Sequence, residues 1–187
     1  MNAHNRQLYA RLDSDTARLF PGYFALVMAT GAAAIDTYVL GMPSLAWTLT
    51  GLGTLAYAAL WLLTLLRAVR HPAQLMDDLV DHARGPGFFT LVAATGILGT
   101  QWLLVAEATT AAQWLWLLSL ALWLAVMYAF FIAVMVQPDK PALEHGINGA
   151  WLLATVSTQS VAVLTALLPW PEAVSYTHLT LPTILLV

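Results

Sequence analysis

Five long apolar stretches constrain the fold of this chain more than any other feature of its sequence. They cover approximately residues 19–39, 44–66, 87–105, 111–136 and 147–168. A helix needs about 20 predominantly apolar residues to cross a bilayer, and in lipid it satisfies its backbone hydrogen bonds within its own segment. The sequence therefore predicts an all-α integral membrane protein, and these stretches are called its first to fifth spans.

The composition agrees with a chain that lies mostly in lipid. Hydrophobic residues make up 60% of the 187 residues and charged residues 9%, whereas a soluble domain carries about 25% charged residues. There is no cysteine, which excludes disulfides and thiolate metal sites. The first span is too long for a signal-peptide core, and no small-residue cleavage pattern follows it, so we expect it to be retained.

An internal repeat indicates how the spans are organised. Pro21–Gly31 recurs as Pro86–Gly96 with eight of eleven positions identical, and Asn148–Thr158 is a fainter third copy. Each copy opens an odd-numbered span. Because a repeat identifies the building block of a fold, we interpret the block as a hairpin of two apolar helices that starts with Pro-Gly or Asn-Gly.

Odd-numbered and even-numbered spans differ in the size of their side chains. The odd spans are rich in Gly, Ala, Ser and Thr, which let helices approach closely in lipid and also leave room for a passage. The fourth span is bulky and is expected to face lipid, and the second is intermediate. We therefore expect the odd spans to form an inner ring and the even spans an outer ring.

The basic residues predict the orientation of the chain. All seven lie in the N-terminal arm (residues 1–18), in the connection Arg67–Gly85 or in the connection Gln137–Gly146, and none lies in the opposite loops. Because cytoplasmic loops carry an excess of Lys and Arg, the N-terminus is predicted to be cytoplasmic. These residues are Arg6, Arg11, Arg18, Arg67, Arg70, Arg84 and Lys140.

The connection between the second and third spans is predicted to contain a short amphipathic helix. Pro72 suits its first turn, Leu75, Leu79 and Ala83 share one face, and Gly85 can end it. Its acidic residues are expected to face water: Asp77, Asp78 and Asp81.

The spans contain no residue pattern typical of catalysis, metal binding or cofactor binding. His4, His71, His82 and His145 lie in the arm or in the connections, and none stands on an apolar helix beside a carboxylate, as an embedded metal site would require. We therefore predict no enzyme activity, no metal, no cofactor and no nucleic-acid partner.

Two polar residues near the predicted outer ends of the spans are candidates for an outer mouth. Asp36 ends the first span, and Gln101 is its counterpart in the second repeat. Either they are interfacial groups, or they contact a substrate, since ionisable groups within a membrane are functional candidates by default. At the other face, the N-terminal dipole ends of the odd helices would favour an anion over a cation, unless Pro-Gly simply starts each helix.

The last fourteen residues differ in character from the rest. Val174–Val187 matches one reading frame through a transposon-type sequencing-library adapter, followed by a short index, so we interpret it as a translated adapter. The alternative is a genuine sixth segment, but fourteen residues with Pro182 are too short to span a bilayer. On this interpretation residues 19–173 are a truncated membrane domain, and Tyr176 and His178 carry no function.

The repeats resemble one known family of membrane proteins. Two helices begin with the motif Pro-Gly-(Tyr/Phe)-Phe and reach Ala-Thr-Gly two turns later. These helices resemble the tellurite-resistance/dicarboxylate transporter family. So do the segments Thr95–Gln101, Ile147–Leu153 and Ser157–Ser160. That family includes plant slow anion channels and sulfite exporters. The resemblance covers about residues 19–168 and implies ten helices in five hairpins around a central pore, commonly in trimers, with five of the ten present here.

The resemblance also implies a function and a set of pore-lining candidates. The function would be passage of small anions such as chloride, nitrate, sulfite or C4-dicarboxylates across a bacterial inner membrane. Carried over by position, the candidates are Phe24, Thr30, Gly31, Phe89, Thr95, Gly96, Trp151, Ser157 and Thr158. For each of them ordinary helix packing is the alternative. The family's gating phenylalanine on the ninth helix and its mid-membrane prolines have no counterpart in this sequence.

Two other classes of protein remain open. A membrane scaffold or assembly subunit would have no continuous stripe of small residues facing a common axis. A membrane enzyme would need convergent polar groups within the bilayer, and the spans show none.

Overall fold

The computed structural model describes residues 16–17, 19–136 and 149–169. Within them, five helices are long and apolar enough to cross a membrane: Pro21–Val39, Pro43–Arg70, Gly85–Leu104, Thr109–Ala133 and Gly149–Leu167. These described ranges contain helices and turns but no strand. The predicted all-α membrane fold with five spans is confirmed.

Each odd-numbered span begins with a 3-10 turn before its α-helix starts. The turns are Pro21–Phe24, Gly85–Phe88 and Gly149–Leu152, and the helices that follow them are Ala25–Val39, Phe89–Leu104 and Leu153–Leu167. Pro21 and Pro86 occupy the first or second position of their turns. A proline is tolerated there because its missing N–H would have no partner within the helix. The even spans are single helices, Pro43–Arg70 and Thr109–Val136.

The third span is the centre of the described structure. In the 18-residue apolar stretch of the third span, 72% of the residues are buried, whereas the corresponding share in the other four spans is 17–22%. It packs against the first, fourth and fifth spans, while the second span packs mainly on the first. The odd spans therefore lie side by side in the order first, third, fifth. The inner ring of odd spans within an outer ring of even spans stays a prediction.

Two apolar clusters hold the third span in place. Phe24, Tyr57 and Leu98 belong to a cluster formed by the first three spans. Phe89 and Phe130 belong to a second cluster, which joins the third, fourth and fifth spans. Both clusters consist of side chains from several spans, so the packing of the third span depends on its neighbours on both sides.

A short helix, Pro72–Val80, links the second span to the third as predicted, but it ends before Gly85. The Oδ1 atom of Asp81 accepts hydrogen bonds from the backbone N–H groups of Ala83 and Arg84, both at 2.8 Å. An aspartate that bonds the backbone two and three residues ahead favours a turn over a helix. Asp81 therefore ends the helix, and Ala83 lies beyond it.

Arg67 and Asp78 differ from their predicted positions. Arg67 was expected in the connection, but it lies in the last turn of the second span and is 2% exposed. Asp78 was expected to face water, but its carboxylate pairs with Arg67 at 2.6 Å and with Arg84 at 2.9 Å. Burying a guanidinium requires acceptors, and the Asp78 carboxylate supplies one of them. Asp77 and Asp81 are exposed as expected.

Several predicted features lie outside the described residues. They are most of the N-terminal arm, the connection that carries Lys140 and His145, and the segment Val174–Val187 with Tyr176 and His178. The interpretation of that last segment as a translated adapter stays a prediction.

Candidate functional site

The N-terminal turns of the odd spans meet at one end of the helix row. A β-carbon at Gly87 would stand 3.1 Å from the Gly22 nitrogen, so glycine is what lets these two turns approach so closely. The Thr90 hydroxyl lies 2.7 Å from the Gly87 carbonyl oxygen and 3.1 Å from that of Pro21, which ties the turns together. The turn Gly149–Leu152 contacts the turn of the third span. Three helix N-termini, each with a partial positive charge, therefore converge.

The three candidate aromatic residues lie just inside these turns and pack between spans. Phe24 is 3% exposed and makes edge-to-face contacts with Tyr57 and Trp61 of the second span, with ring centroids 6.0 and 6.3 Å apart. Such geometry is typical of aromatic packing. In the described chain, the Phe24 ring therefore fills the contact between the first and second spans.

Phe89 and Trp151 share one partner on the fourth span. Phe89 is fully buried, with its ring centroid 5.5 Å from that of Phe130. Trp151 is half-buried, and its ring centroid lies 5.1 Å from that of Phe130 and 6.4 Å from that of His82. Phe130 thus joins the beginnings of the third and fifth spans.

The Thr-Gly pair of the first span lies partly at the surface. Thr30 is half-buried, and its hydroxyl donates to the Leu26 carbonyl at 2.8 Å. Gly31 is buried, and a β-carbon there would stand 2.4 Å from Ile97 Cγ2 and 3.2 Å from Gln101 Oε1. Gly31 therefore lets the side chains of the third span approach the first.

The equivalent pair of the third span is fully enclosed. Thr95 is 0% exposed, and its hydroxyl donates to the Leu91 carbonyl at 2.7 Å. Since that bond uses the only hydroxyl proton of Thr95, the Tyr57 hydroxyl 2.9 Å away acts as donor to Thr95. A β-carbon at Gly96 would stand 3.1 Å from the Ser160 backbone carbon. Gly96 therefore brings the third span close to the backbone of the fifth.

The two candidates of the fifth span are placed differently from each other. Ser157 is 0% exposed, and its hydroxyl donates to the Ala154 carbonyl at 2.8 Å. Thr158 is exposed, and its hydroxyl donates to the same carbonyl at 2.9 Å. Trp123 of the fourth span donates from Nε1 to Thr158 Oγ1 at 2.9 Å. Of the nine pore-lining candidates, the structure leaves three at least partly exposed: Thr30, Trp151 and Thr158.

The two outer-mouth candidates do not share an environment. Asp36 is exposed near the end of the first span. Gln101 is 0% exposed, and neither its amide nitrogen nor its amide oxygen has a hydrogen-bond partner among the described residues. The repeat places these residues in equivalent positions of the sequence, but only Asp36 is in a position to meet solvent.

Sequence reasoning missed a recurring hydrogen bond between spans. In four places an aromatic N–H or O–H on one span donates to the hydroxyl oxygen of a threonine whose own proton bonds the carbonyl four residues earlier. The pairs are Tyr57–Thr95, Trp102–Thr54, Trp116–Thr165 and Trp123–Thr158. The sequence does contain a signal, since Trp or Tyr and Thr recur on neighbouring spans. To predict which residues pair, however, one must know how each helix is rotated about its axis.

The sequence of almost the whole chain matches a known family. Residues 18–186 match the voltage-dependent anion channel family. The chain belongs to the voltage-dependent anion channel family. The resemblance seen in the repeats is thus confirmed, and this family membership implies anion transport. The matched range covers most of Val174–Val187 and does not set that segment apart. No curated protein and no solved structure matches the chain.

Proposed function

We propose that this member of the voltage-dependent anion channel family forms part of a pathway that carries small anions across a bacterial inner membrane, lined by its odd-numbered spans. The family match over residues 18–186 is the observation that carries this proposal. The packing of the first, third and fifth spans in one row supports it, because a row of helices is the wall that such a pathway needs.

The uncovered face of the first span supports a lining role. Exposed small residues follow this face down to Asp36, with exposed Leu26 beside them. The small residues are Ala25, Ala29, Ala32 and Ala33. The exposed side of the fifth span is mixed, because large hydrophobic residues such as Leu152 and Val163 lie there beside Thr155 and Thr158. The exposed side of the second span instead presents leucines: Leu52, Leu55, Leu62 and Leu65. Small faces suit contact with more protein or with a passage, whereas leucine suits lipid.

The charge distribution supports an anion over a cation. The described odd spans carry one charged side chain, Asp36, which lies at the end opposite to the converging turns. At those turns the helix N-termini add partial positive charge, and the nearby Asp78 carboxylate is paired with two guanidinium groups, those of Arg67 and Arg84. Such an end attracts anions weakly, which suits a pathway that must also release them. The resemblance proposes chloride, nitrate, sulfite and C4-dicarboxylates as the anions to test.

Flux measurements in liposomes test the proposal. As the resemblance implies, we expect the source gene to continue beyond the Ala173 codon to ten spans. The chain as it stands and the product of that longer reading frame would be reconstituted, and efflux of chloride, nitrate, sulfite and malate would be followed. We expect flux from the longer product and none from this chain alone. A longer product that moves none of these anions would favour a scaffold.

A matched pair of substitutions tests which face lines the pathway. Ala29→Phe places a ring on the small face of the first span, while Leu55→Phe places one on the leucine face of the second. In the longer product, we expect Ala29→Phe to reduce flux at least tenfold and Leu55→Phe to leave it unchanged. Equal flux from both folded variants would mean that the first span does not line the pathway through this face.

Labelling of single cysteines tests the proposed orientation, because the chain has no cysteine of its own. Met42 lies in the short turn after the first span, and Asp77 lies on the linking helix, and both are exposed. In intact cells a membrane-impermeant maleimide should label Met42→Cys but not Asp77→Cys. The reverse pattern would place the N-terminus outside.

A further inference from the structure

Large apolar side chains are exposed around the turn between the first and second spans. They are Tyr38, Val39, Leu40, Met42, Leu45 and Trp47, and between 36% and 76% of the surface of each is exposed. No charged residue occurs in the sequence between Asp36 and Arg67. We call residues 38–45 the apolar tip. Because a contiguous apolar patch on a protein surface marks a contact with another molecule or with a membrane, the apolar tip requires a partner.

The backbone of the apolar tip forms its hydrogen bonds internally. Gly41 has a φ of 77°, which glycine adopts at no steric cost. The N–H groups of Leu40, Gly41 and Met42 donate to carbonyls in the last turn of the first span, at 2.9–3.0 Å, and Pro43 has no N–H. This pattern is a Schellman motif. Since unpaired backbone groups are costly away from water, a turn that is closed in this way is suited to an apolar environment.

The length of the first span places the apolar tip at the edge of the hydrocarbon core. The four-residue 3-10 turn and the 15-residue α-helix of this span are together about 30 Å long. The hydrocarbon core of a typical bilayer is also about 30 Å thick. With Pro21 at one boundary of the core, Val39 therefore reaches the other boundary. Any tilt of the span would bring the apolar tip deeper.

The apolar tip is continuous with the lipid-facing surface of the second span. Exposed Leu52 and Leu55 lie further along that span, and exposed Trp47 lies between them and the apolar tip. Trp114, near the beginning of the fourth span and at the same end of the helix row, is 69% exposed. Because Trp and Tyr are enriched where a membrane meets water, these two tryptophans indicate one common boundary for both even spans.

We propose that the apolar tip lies in the interface of the lipid bilayer, with its aliphatic side chains against the outer parts of the acyl chains. Asp36, the nearest charged residue, lies on the small-residue face of the first span, so the carboxylate does not have to face acyl chains. The headgroup region is hydrated, so a water-soluble maleimide still reaches a cysteine at Met42. The proposal does not depend on which solute the pathway carries or on which side of the membrane is cytoplasmic.

Spin labels on single cysteines test the proposal, because the chain has no cysteine of its own. Leu40→Cys lies on the apolar tip, and Leu55→Cys is the matched control, since the two leucines are 69% and 70% exposed. In liposomes, the depth of each label follows from its accessibility to oxygen, which concentrates in hydrocarbon, and to a water-soluble nickel chelate. We expect the label of Leu40→Cys to lie about 5–10 Å below the lipid phosphates, and that of Leu55→Cys near the bilayer centre.

Three other results would overturn the proposal. A label on Leu40→Cys that the nickel chelate reaches as freely as a label in bulk water would place the apolar tip outside the membrane. Low accessibility to both reagents would mean that protein covers it, for example a second copy of the chain. A label as deep as that of Leu55→Cys would place the turn inside the hydrocarbon core. Val39→Cys repeats the measurement at a neighbouring exposed position.

Discussion

The two close copies of the repeat have nearly the same sequence and very different surroundings. Pro21–Gly31 and Pro86–Gly96 share eight of eleven residues. In the apolar stretches of their spans, however, 22% and 72% of the residues are buried. Thr30 is half-buried and bonds its own helix, while Thr95 is enclosed and also accepts a hydrogen bond from Tyr57. Position in the row of helices, and not the local sequence, decides the role of each copy.

The glycines of the two copies differ in what they approach. Gly31 faces side-chain atoms of the third span, Ile97 Cγ2 and the Gln101 amide, whereas Gly96 faces the backbone of the fifth span at Ser160. The beginnings of the copies differ too. Arg67 binds the carbonyls of Ala17 and Leu19 just before the first copy, while the second copy begins on buried Gly85–Gly87.

The largest expected effect comes from removing the guanidinium that holds the first copy. Arg67→Met leaves three backbone carbonyls, those of Ala17, Leu19 and Gln74, and the Asp78 carboxylate with one partner fewer. We expect a loss of about 3 kcal/mol in the free energy of unfolding. Hydrogen exchange should quicken at residues 19–24 more than at residues 86–90. The measurement is denaturant unfolding in detergent combined with exchange mass spectrometry.

Arg70→Met is the control for that prediction. Arg70 lies one turn later and is exposed, so solvent screens the interactions of its charge, and its replacement should change stability by less than about 1 kcal/mol. Equal losses from the two variants, or equal exchange in both copies, would show that Arg67 does not anchor the first copy.

The next effect distinguishes the two glycines. Gly96→Ala forces the backbones of the third and fifth spans apart, and we expect a loss of about 2 kcal/mol. Gly31→Ala would overlap Ile97 Cγ2 and Gln101 Oε1, which are side-chain atoms and can shift more than a backbone can. Both variants gain the helix preference of alanine over glycine, about 1 kcal/mol, so we expect the net loss for Gly31→Ala to be the smaller of the two, at about 1 kcal/mol. Thermal unfolding of both variants measures the difference. A larger loss from Gly31→Ala would mean that the contact between the first and third spans is more rigid than the contact between the third and fifth spans.

The sequence predicted those parts of the fold that depend on length and hydrophobicity. The five spans, the Pro-Gly starts and the linking helix all follow from apolar runs and from proline chemistry, which act locally. Arg67 was assigned to the connection because charge normally ends a span, and the carbonyls of residues 17 and 19 that bind it are distant in sequence. Its burial could not be predicted from neighbouring residues.

The candidate site was less predictable for a geometric reason. The third span carries small residues around most of its circumference, so no periodicity distinguishes a lining face from a packing face. Thr95, Gly96 and Phe89 were chosen because they repeat Thr30, Gly31 and Phe24, but repetition does not specify which neighbours surround a helix. Gln101 shows the same difficulty, since its equivalent, Asp36, is exposed.

The smallest expected effect tests the hydrogen bond that distinguishes Thr95 from Thr30. Tyr57→Phe removes the donor but leaves Thr95 bonded to the Leu91 carbonyl, so we expect a loss of about 0.6 kcal/mol, the usual value for a hydrogen bond between spans. Thr95→Val should cost a similar amount, and the double variant should cost little more than either single one. Thr30→Val should cost less than both, because in the described chain Thr30 bonds only its own helix. Additive losses from Tyr57→Phe and Thr95→Val in thermal unfolding would mean that the two hydroxyls are not coupled. The two threonines would then differ in burial alone.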